Sequence, residues 1–490
     1  MYNFNQQQTR FFDDPQLFGG IPLNPQNRWV RLAAQIPWTR VEDEYRKQFT
    51  KPRGQVAKPA RFALGCLIVK EEMQLSDRDT VALIRENPYI QYFLGCDHYN
   101  YDLSLDASLL THFRKRFPAQ LMAQINEWII EAASSSDEAE ASDEDKDDDE
   151  PQGSAPTGDD SAEEETGGTL LLDASCAPQD IQYPSDVRLL HEARLKLEGM
   201  MDIVQSGRRE PKPRNYRQQA NKAYKRFARN RRPKQKLIRA AVRAQLQYVG
   251  RDLRLLDEMI ADSTAYLSEQ QLTYLATIRT LYSQQLEMYQ NRTRRCDDRI
   301  VSLHQPYVRP IVRGKAKAAT EFGAKLTVAV VDGYAEVKRL SWDAYNESGD
   351  LIESAEAYKV RYGHYPSRIL ADQIFRTRDN RRYCRERGIH LNGRPLGRPP
   401  KDRTLYDEQV RLERAEAGER NEIEGVFGTG KRRLSLNRIM TRLKATSETQ
   451  IQLVFVVMNL KKILRDLFGQ FFRALFIDVW MHSPWLIGEA

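Results

Sequence analysis

Along the first quarter of the chain, apolar residues recur at three- and four-residue intervals in short runs broken by polar turns: ARFALGCLIVKEEMQ, LSDRDTVALIREN and LTHFRKRF. That is the period of an amphipathic helix, so residues 28 to 133 are expected to form a compact all-helical domain, with Ser76 capping DRDTVALI. Three short helices in succession allow a helix-turn-helix, although such a run is more often simply a bundle. The pattern changes at TLLLDAS, a continuous apolar run that predicts a strand ending near Asp173. From 187 to 305 the helical period returns. VRAQLQYVGRDLRLLDEMIADS and YLATIRTLYSQQLEMYQNRT repeat their apolar residues as an antiparallel helical hairpin would. EFGAKLTVAVVDGYAEVKRLSW then predicts two strands around the turn Asp332-Gly333. LIESAEAYKVRYG reads as a helix, RILAD as a strand, RTRDNRRYCRERG as a helix ending at Gly388, and IHL as a last strand. The apolar run QIQLVFVVMNLKKIL predicts a core helix, and residues 466–490 a C-terminal one. The fold class is α/β: a strand-bearing domain over 169–465 with a long helical insertion, preceded by an all-helical domain.

Charge sharpens this division. The 490 residues carry a formal net charge of +7, with a pI of about 9.0. Between Ser134 and Gly168, however, fifteen acids and one lysine give −14, which leaves +21 on the remainder. Residues 134–168 have too few apolar side chains to fold and are expected to be an acidic, disordered linker. So basic a remainder points to a nucleic-acid partner. The strongest run is RNYRQQANKAYKRFARNRRPKQK, in which Arg226, Arg229, Arg231 and Arg232 are candidate phosphate contacts, and Tyr216, Tyr224 and Phe227 are rings that could stack on bases. Five scattered cysteines without a CxxC pair suggest neither a zinc site nor a disulfide framework, and fit a reducing cytosol. MYNFNQQQTRFFDD lacks the pattern of a signal peptide, and charges at Arg465, Asp466, Arg473 and Asp478 interrupt the apolar C-terminal stretch, so no membrane span is expected.

The candidate chemistry lies in three carboxylates. Asp173 and Asp372 end predicted strands, and Glu424 lies in RNEIEGVFGTGKRR. Clustered acids repel one another unless cations join them, and Mg²⁺ takes hard oxygen ligands from a few carboxylates, waters and substrate phosphates. Two such ions about 3.5 to 4 Å apart can serve an in-line displacement at phosphorus. At 3.6 residues per turn, Arg420, Glu424 and Lys431 project from nearly one helix face, while Glu422 falls almost opposite. Ile423, Val426 and Phe427 form the apolar stripe that seats the helix. Gly425, Gly428 and Gly430 suggest close backbone approach. NGRPLGRPPKDR is a basic Pro/Gly loop expected near nucleic acid.

RNEIEGVFGTGK resembles the R-(3)-E-(6)-K part of the signature Y-(2)-R-(3)-E-(6)-K around the third acid of DDE transposases from bacterial insertion sequences, through Arg420, Glu424 and Lys431. The signature's tyrosine falls on Ala417. LLLDASCAPQDIQYPSD and LADQIFRTRDNRRYC are similar to the first- and second-acid segments of the insertion-sequence-five-type branch, and residues 28–117 to that branch's N-terminal domain. The resemblance implies a ribonuclease H-like catalytic domain with Asp173, Asp372 and Glu424 as catalytic and metal-holding acids. It also implies two Mg²⁺ ions, with Mn²⁺ able to substitute, and Arg420 and Lys431 on DNA phosphates. The implied partners are double-stranded DNA, as element ends and target, and further copies of the chain in a homodimer or larger active complex. The implied setting is cytoplasmic and nucleoid-associated. Two alternatives stay open: a nuclease of the same fold that cuts without joining, and a catalytically inactive, transposon-derived DNA-binding protein.

Overall fold

The computed structural model describes residues 18–49, 56–144, 167–312, 320–394 and 402–481. Helices come first: α1 Arg28–Gln35, α2 Trp38–Arg46, α3 Ala60–Met73, α4 Asp77–Glu86, α5 Pro88–Phe93, α6 Ser108–Arg116 and α7 Ala119–Glu144. Ser76 caps α4 by accepting the Asp79 backbone N–H, and Asn87 does the same for α5, ahead of Pro88. Apolar on every side, α3 is buried from Phe62 to Val69 and forms the hub of this bundle. A left-handed Gln74 turns α3 into α4, as a helix-turn-helix would. The first turn of α4 nevertheless carries Asp77 and Asp79, and Arg114 of α6 holds Asp77 at 2.6 Å. Carboxylates at the end that a recognition helix presents to DNA oppose phosphate, so the plain bundle is the better description.

Six strands form one mixed sheet: β1 Thr169–Pro178, β2 Arg309–Val312, β3 Thr320–Val331, β4 Tyr334–Ser341, β5 Arg368–Ala371 and β6 His390–Leu391. β1 is central, antiparallel to β3 and parallel to β5, which in turn is parallel to β6. β2 and β4 both pair with the other edge of β3. The β3–β4 hairpin turns at Asp332 and Gly333, both at positive φ, as a two-residue hairpin loop demands. β1 is buried on both faces, which is why its sequence is a continuous apolar run rather than an alternating one. Leu171 and Ala177 enter one core, Leu170 and Leu172 the other.

Between β1 and β2 stand α8 Asp186–Gln205, α9 Arg217–Ala228, α10 Gln235–Ala261 and α11 Glu269–Asn291, with a core of their own that includes Leu197, Met201, Leu256 and Ile278. α12 Asp350–Tyr362, α13 Arg378–Glu386, α14 Arg403–Arg433 and α15 Lys444–Met481 complete the chain. α15 is buried on all sides from Leu453 to Leu460 and lies between the N-terminal bundle and β4. The bundle and the sheet therefore share one continuous core. A buried polar clamp locks it: Asn459 of α15 exchanges hydrogen bonds with the backbone of Ala335 at 2.9 Å each and donates to Asn126 of α7 at 2.8 Å.

Two expected boundaries fall inside helices. α7 continues to Glu144, into the stretch assigned to the acidic linker, because a helix nucleated by buried turns at Ile125 and Ile129 propagates cheaply through Ala, Ser and Glu. Residues 145–166, most of that linker, lie outside the described residues. The boundary at 465/466 is crossed by α15, which has no proline to stop it. Among the described residues no helix is long and apolar enough to cross a membrane.

Candidate active site

Register and local capping aim the three acids at one place. Asp173 sits opposite Val328 of β3, on the same face of β1 as Leu171, the face that α14 and α15 cover. Its carboxylate accepts the Ala174 N–H at 2.7 Å. Asp372 leaves β5 directly beside β1 and caps a 3₁₀ turn over Gln373–Phe375, accepting the Gln373 N–H at 2.7 Å. Glu424 comes from α14, which buried Ile423 and Phe427 seat on the core. One turn earlier Arg420 bridges the last two acids, with Nη1 at 3.4 Å from Asp372 and Nη2 at 3.8 Å from Glu424. Asp173, Asp372, Glu424, Arg420 and Lys431 all line one cleft of about 1140 Å³. Glu422 lies on the other side, with its carboxylate against the β3–β4 turn.

The acids face water and the arginine does not: the side chains of Asp372 and Glu424 are 56% and 59% exposed, that of Arg420 only 24%. Among the described residues no three His, Cys, Asp or Glu side chains converge tightly enough to form a closed metal cage. An open set of carboxylates suits Mg²⁺, which keeps waters and completes its shell with substrate phosphates. The donor chemistry therefore fits hard divalent cations.

Three cleft residues escaped the sequence reading. Lys325 of β3 donates to the Tyr345 carbonyl at 2.7 Å and pairs with Glu347, so a largely buried ion pair forms one wall. Its signal was a lysine inside an otherwise apolar strand. The Tyr345 hydroxyl lies 2.8 Å from the Thr327 hydroxyl, and burial pushes its pKa well up. Ala417 is exposed on α14, and Tyr345 lines the cleft. The glycines of α14 have separate explanations. A Cβ on Gly430 would stand 3.0 Å from Leu436 and 3.4 Å from the Met458 sulfur, a close approach to the core, whereas Gly425 has no neighbour within 4 Å.

The second basic candidate lies apart from the cleft. Arg226 of α9, and Arg229, Arg231 and Arg232 in the turn towards α10, are exposed and take no acidic partner among the described residues. The rings among them do not serve bases, which corrects the stacking expectation. Tyr224 stacks on His191 at 3.6 Å, Phe227 packs on the insertion's core, and Tyr216 is held between Arg214 and Arg251. Burying aromatic area anchors the helix and leaves only its cations outward. Residues 395–401, the middle of the expected basic loop, lie outside the described residues.

A buried ionic cluster holds the insertion together. Arg194 pairs with Glu198 inside the core, while Asp252 is fully buried with no hydrogen-bond partner on either oxygen. Burial first, then nearby Glu198, raises the Asp252 carboxyl to about 7; burial, then Arg194, lowers His191 to about 4.

Two family matches bracket this architecture. A family described as "Transposase DDE domain" matches residues 369–461, from β5 through Asp372, Arg420, Glu424 and Lys431 into α15. A second, described as "Transposase domain (DUF772)", matches residues 21–116, the N-terminal helices. Asp173 lies outside both. The chain is also 29% identical over 171 residues to an uncharacterized protein, ORF8 in the nfe locus of Rhizobium meliloti, covering 35% of this chain and 71% of that protein. No solved structure matches the chain.

Proposed function

We propose that the chain is a DDE transposase of the insertion-sequence-five-like type, as its two transposase-domain matches support, and that it binds the terminal inverted repeats of its element, cuts them and joins the freed 3′ ends to target DNA. The observation that carries this reading is the convergence of Asp173, Asp372 and Glu424, from three distant segments, on one cleft that also holds Arg420 and Lys431. The sheet supports a ribonuclease H-like catalytic domain: a central first strand, an antiparallel hairpin on one side and two parallel strands on the other, with the helical insertion between β1 and β2.

Asp173, Asp372 and Glu424 would hold Mg²⁺ ions, Mn²⁺ substituting, and the bound cations would supply charge stabilisation at the phosphorus and a more acidic attacking hydroxyl. The protein's own groups do the rest. Arg420 and Lys431 bind non-bridging phosphate oxygens and fix the scissile linkage in the cleft. Water attacks the phosphorus at the element end and displaces the 3′-oxygen, which leaves as a 3′-hydroxyl; that hydroxyl then attacks a target phosphorus and displaces the target's own 3′-oxygen. The Lys325–Glu347 pair keeps the opposite wall rigid. Arg226, Arg229, Arg231 and Arg232 hold flanking duplex by its backbone, without reading sequence.

The test is incubation of purified protein with DNA carrying the ends that flank its own gene, with Mg²⁺, followed by mapping of cut and joined strands. Cleavage at the ends followed by joining establishes the reading. Cleavage without joining leaves a nuclease, and binding without cleavage leaves an inactive DNA-binding protein.

A further inference from the structure

The 3₁₀ turn after Asp372 separates two concavities. Ile374 lines the cleft of the acids, and two residues later Arg376 lines a second groove of about 750 Å³ between α13 and β6. Arg378, Arg381, Arg382 and Arg385 follow at helical spacings of three and four, so they form one stripe along that groove. From 378 to 388 the sequence has five arginines and two acids. Arg382 pairs with Asp379 at 3.0 Å, but Arg378, Arg381 and Arg385 take no acidic partner among the described residues. Elsewhere in this chain a half-buried arginine does pair along its helix, as Arg188 does with Glu192. Like charges at these spacings disfavour a helix, a cost that an anionic ligand removes.

The head of the groove is built. Arg376 donates to the Arg394 carbonyl at 2.7 Å, while its Nε is buried without a partner. Gly393, at φ +100°, forms the facing wall; a Cβ there would stand 2.3 Å from the Arg376 guanidinium. Only glycine both adopts that backbone and leaves the space.

We propose that this groove carries the sugar-phosphate backbone of the target DNA during joining, separately from the surface that holds the element end; this rests on the DNA-joining reading above. Arg378 and Arg385 stand about 10 Å apart along α13, which spans about three nucleotide steps of one strand. The stripe is a row of guanidinium forks, which match phosphate oxygens, and phosphate contacts carry no sequence information directly. That suits a DNA accepted at many sequences. The turn from Asp372 to Arg376 delivers such a strand straight to the acids.

The test uses the full chain with Arg378, Arg381 and Arg385 changed together to Ala, and in a second variant to Lys. End cleavage is measured on element-end duplex, joining with a pre-cut end and a supercoiled plasmid, and binding of a random 30-base-pair duplex against salt. The Ala variant is expected to cleave ends normally and to lose roughly tenfold or more in joining, and its slope of log affinity against log salt should fall by about three; the Lys variant should recover most of that slope. Equal loss of cleavage and joining would assign the groove to the element end and overturn the proposal. Unchanged joining with an unchanged slope would reduce the stripe to a solvated helix face. Should the parent neither cut nor join, the transposition reading itself fails, while the salt slope still decides whether the groove binds DNA.

Discussion

Arg420 is the residue on which the local electrostatics of the cleft turn. Two carboxylates within reach of one guanidinium are partly neutralised before any cation or phosphate arrives, and the recessed position of Arg420 keeps it aimed at both. Asp173→Asn, Asp372→Asn and Glu424→Gln are each expected to lower end cleavage by about 100-fold or more while leaving end binding intact, since each removes an oxygen ligand and no DNA contact. Glu422→Gln should stay active, because its carboxylate lies against the β3–β4 turn; an inactive Glu422 variant beside an active Glu424 variant would reverse the assignment. A second residue-scale prediction concerns Asp252. Its folded-state pKa of about 7 lies above the unfolded value, so the folded state holds an extra proton between roughly pH 4 and 7 and loses stability as pH rises through that window. His191, lowered to about 4, contributes the opposite slope below roughly pH 6.5, so the net loss is concentrated near pH 7. Asp252→Asn should therefore be close to neutral at pH 5 and stabilising by about 1–3 kcal/mol at pH 8, as read by denaturant melts. A destabilised variant at pH 8 would mean that the carboxylate is satisfied by Arg194 and Arg217.

At the scale of elements, α9 and the turn after it present cations outward because their rings are used inward. Neutralising Arg226, Arg229, Arg231 and Arg232 together should lower DNA affinity and reduce the slope against log salt by about four, roughly one per phosphate contact. An unchanged slope in a binding titration would turn this face to solvent or to protein. The same element marks how far the sequence could be read. Its charge was legible because charge is a local property. The use of Tyr224 and Phe227 was not, because it depends on His191 and on a core assembled from three other helices. The strands at TLLLDAS and RILAD, the Ser76 cap and the Asp332-Gly333 turn were legible for the same reason: each is fixed by a few adjacent residues. The continuity of α7 and α15 across expected boundaries was hidden, since composition changes there and hydrogen bonding does not. The Asn126–Asn459–Ala335 clamp joins residues more than a hundred positions apart and leaves no local trace. In the cleft, Asp372 was legible as the end of its strand and Glu424 from its helix face, whereas Asp173, expected to end its strand, stands in the middle of β1, which runs on to Pro178. Lys325 and Glu347 were not legible, because only the sheet register brings them to the wall.

At the scale of the whole molecule the charge of the chain is divided against itself. Residues 145–165 carry ten acids and one lysine, −9 by count, and connect the end of α7 to the start of β1. β1 is the strand of Asp173, so the tract is covalently tied to the domain that carries the cleft, the α13 stripe and the insertion's basic face. Tethering makes its effective concentration high beside all three, and an acidic segment there competes with phosphate for the same arginines. Such competition costs weakly held DNA more than tightly held DNA, so it favours the element's own ends over random duplex. Replacing residues 145–165 with a neutral Gly/Ser linker of equal length should tighten random-duplex binding at low salt. The two binding curves should converge as salt rises and the Debye length falls from about 30 Å at 0.01 M to about 8 Å at 0.15 M. End binding should change less than random binding, so the ratio of the two affinities should fall in the variant. Superimposable curves at low salt would mean that the tract only spaces α7 from β1 and keeps the chain in solution.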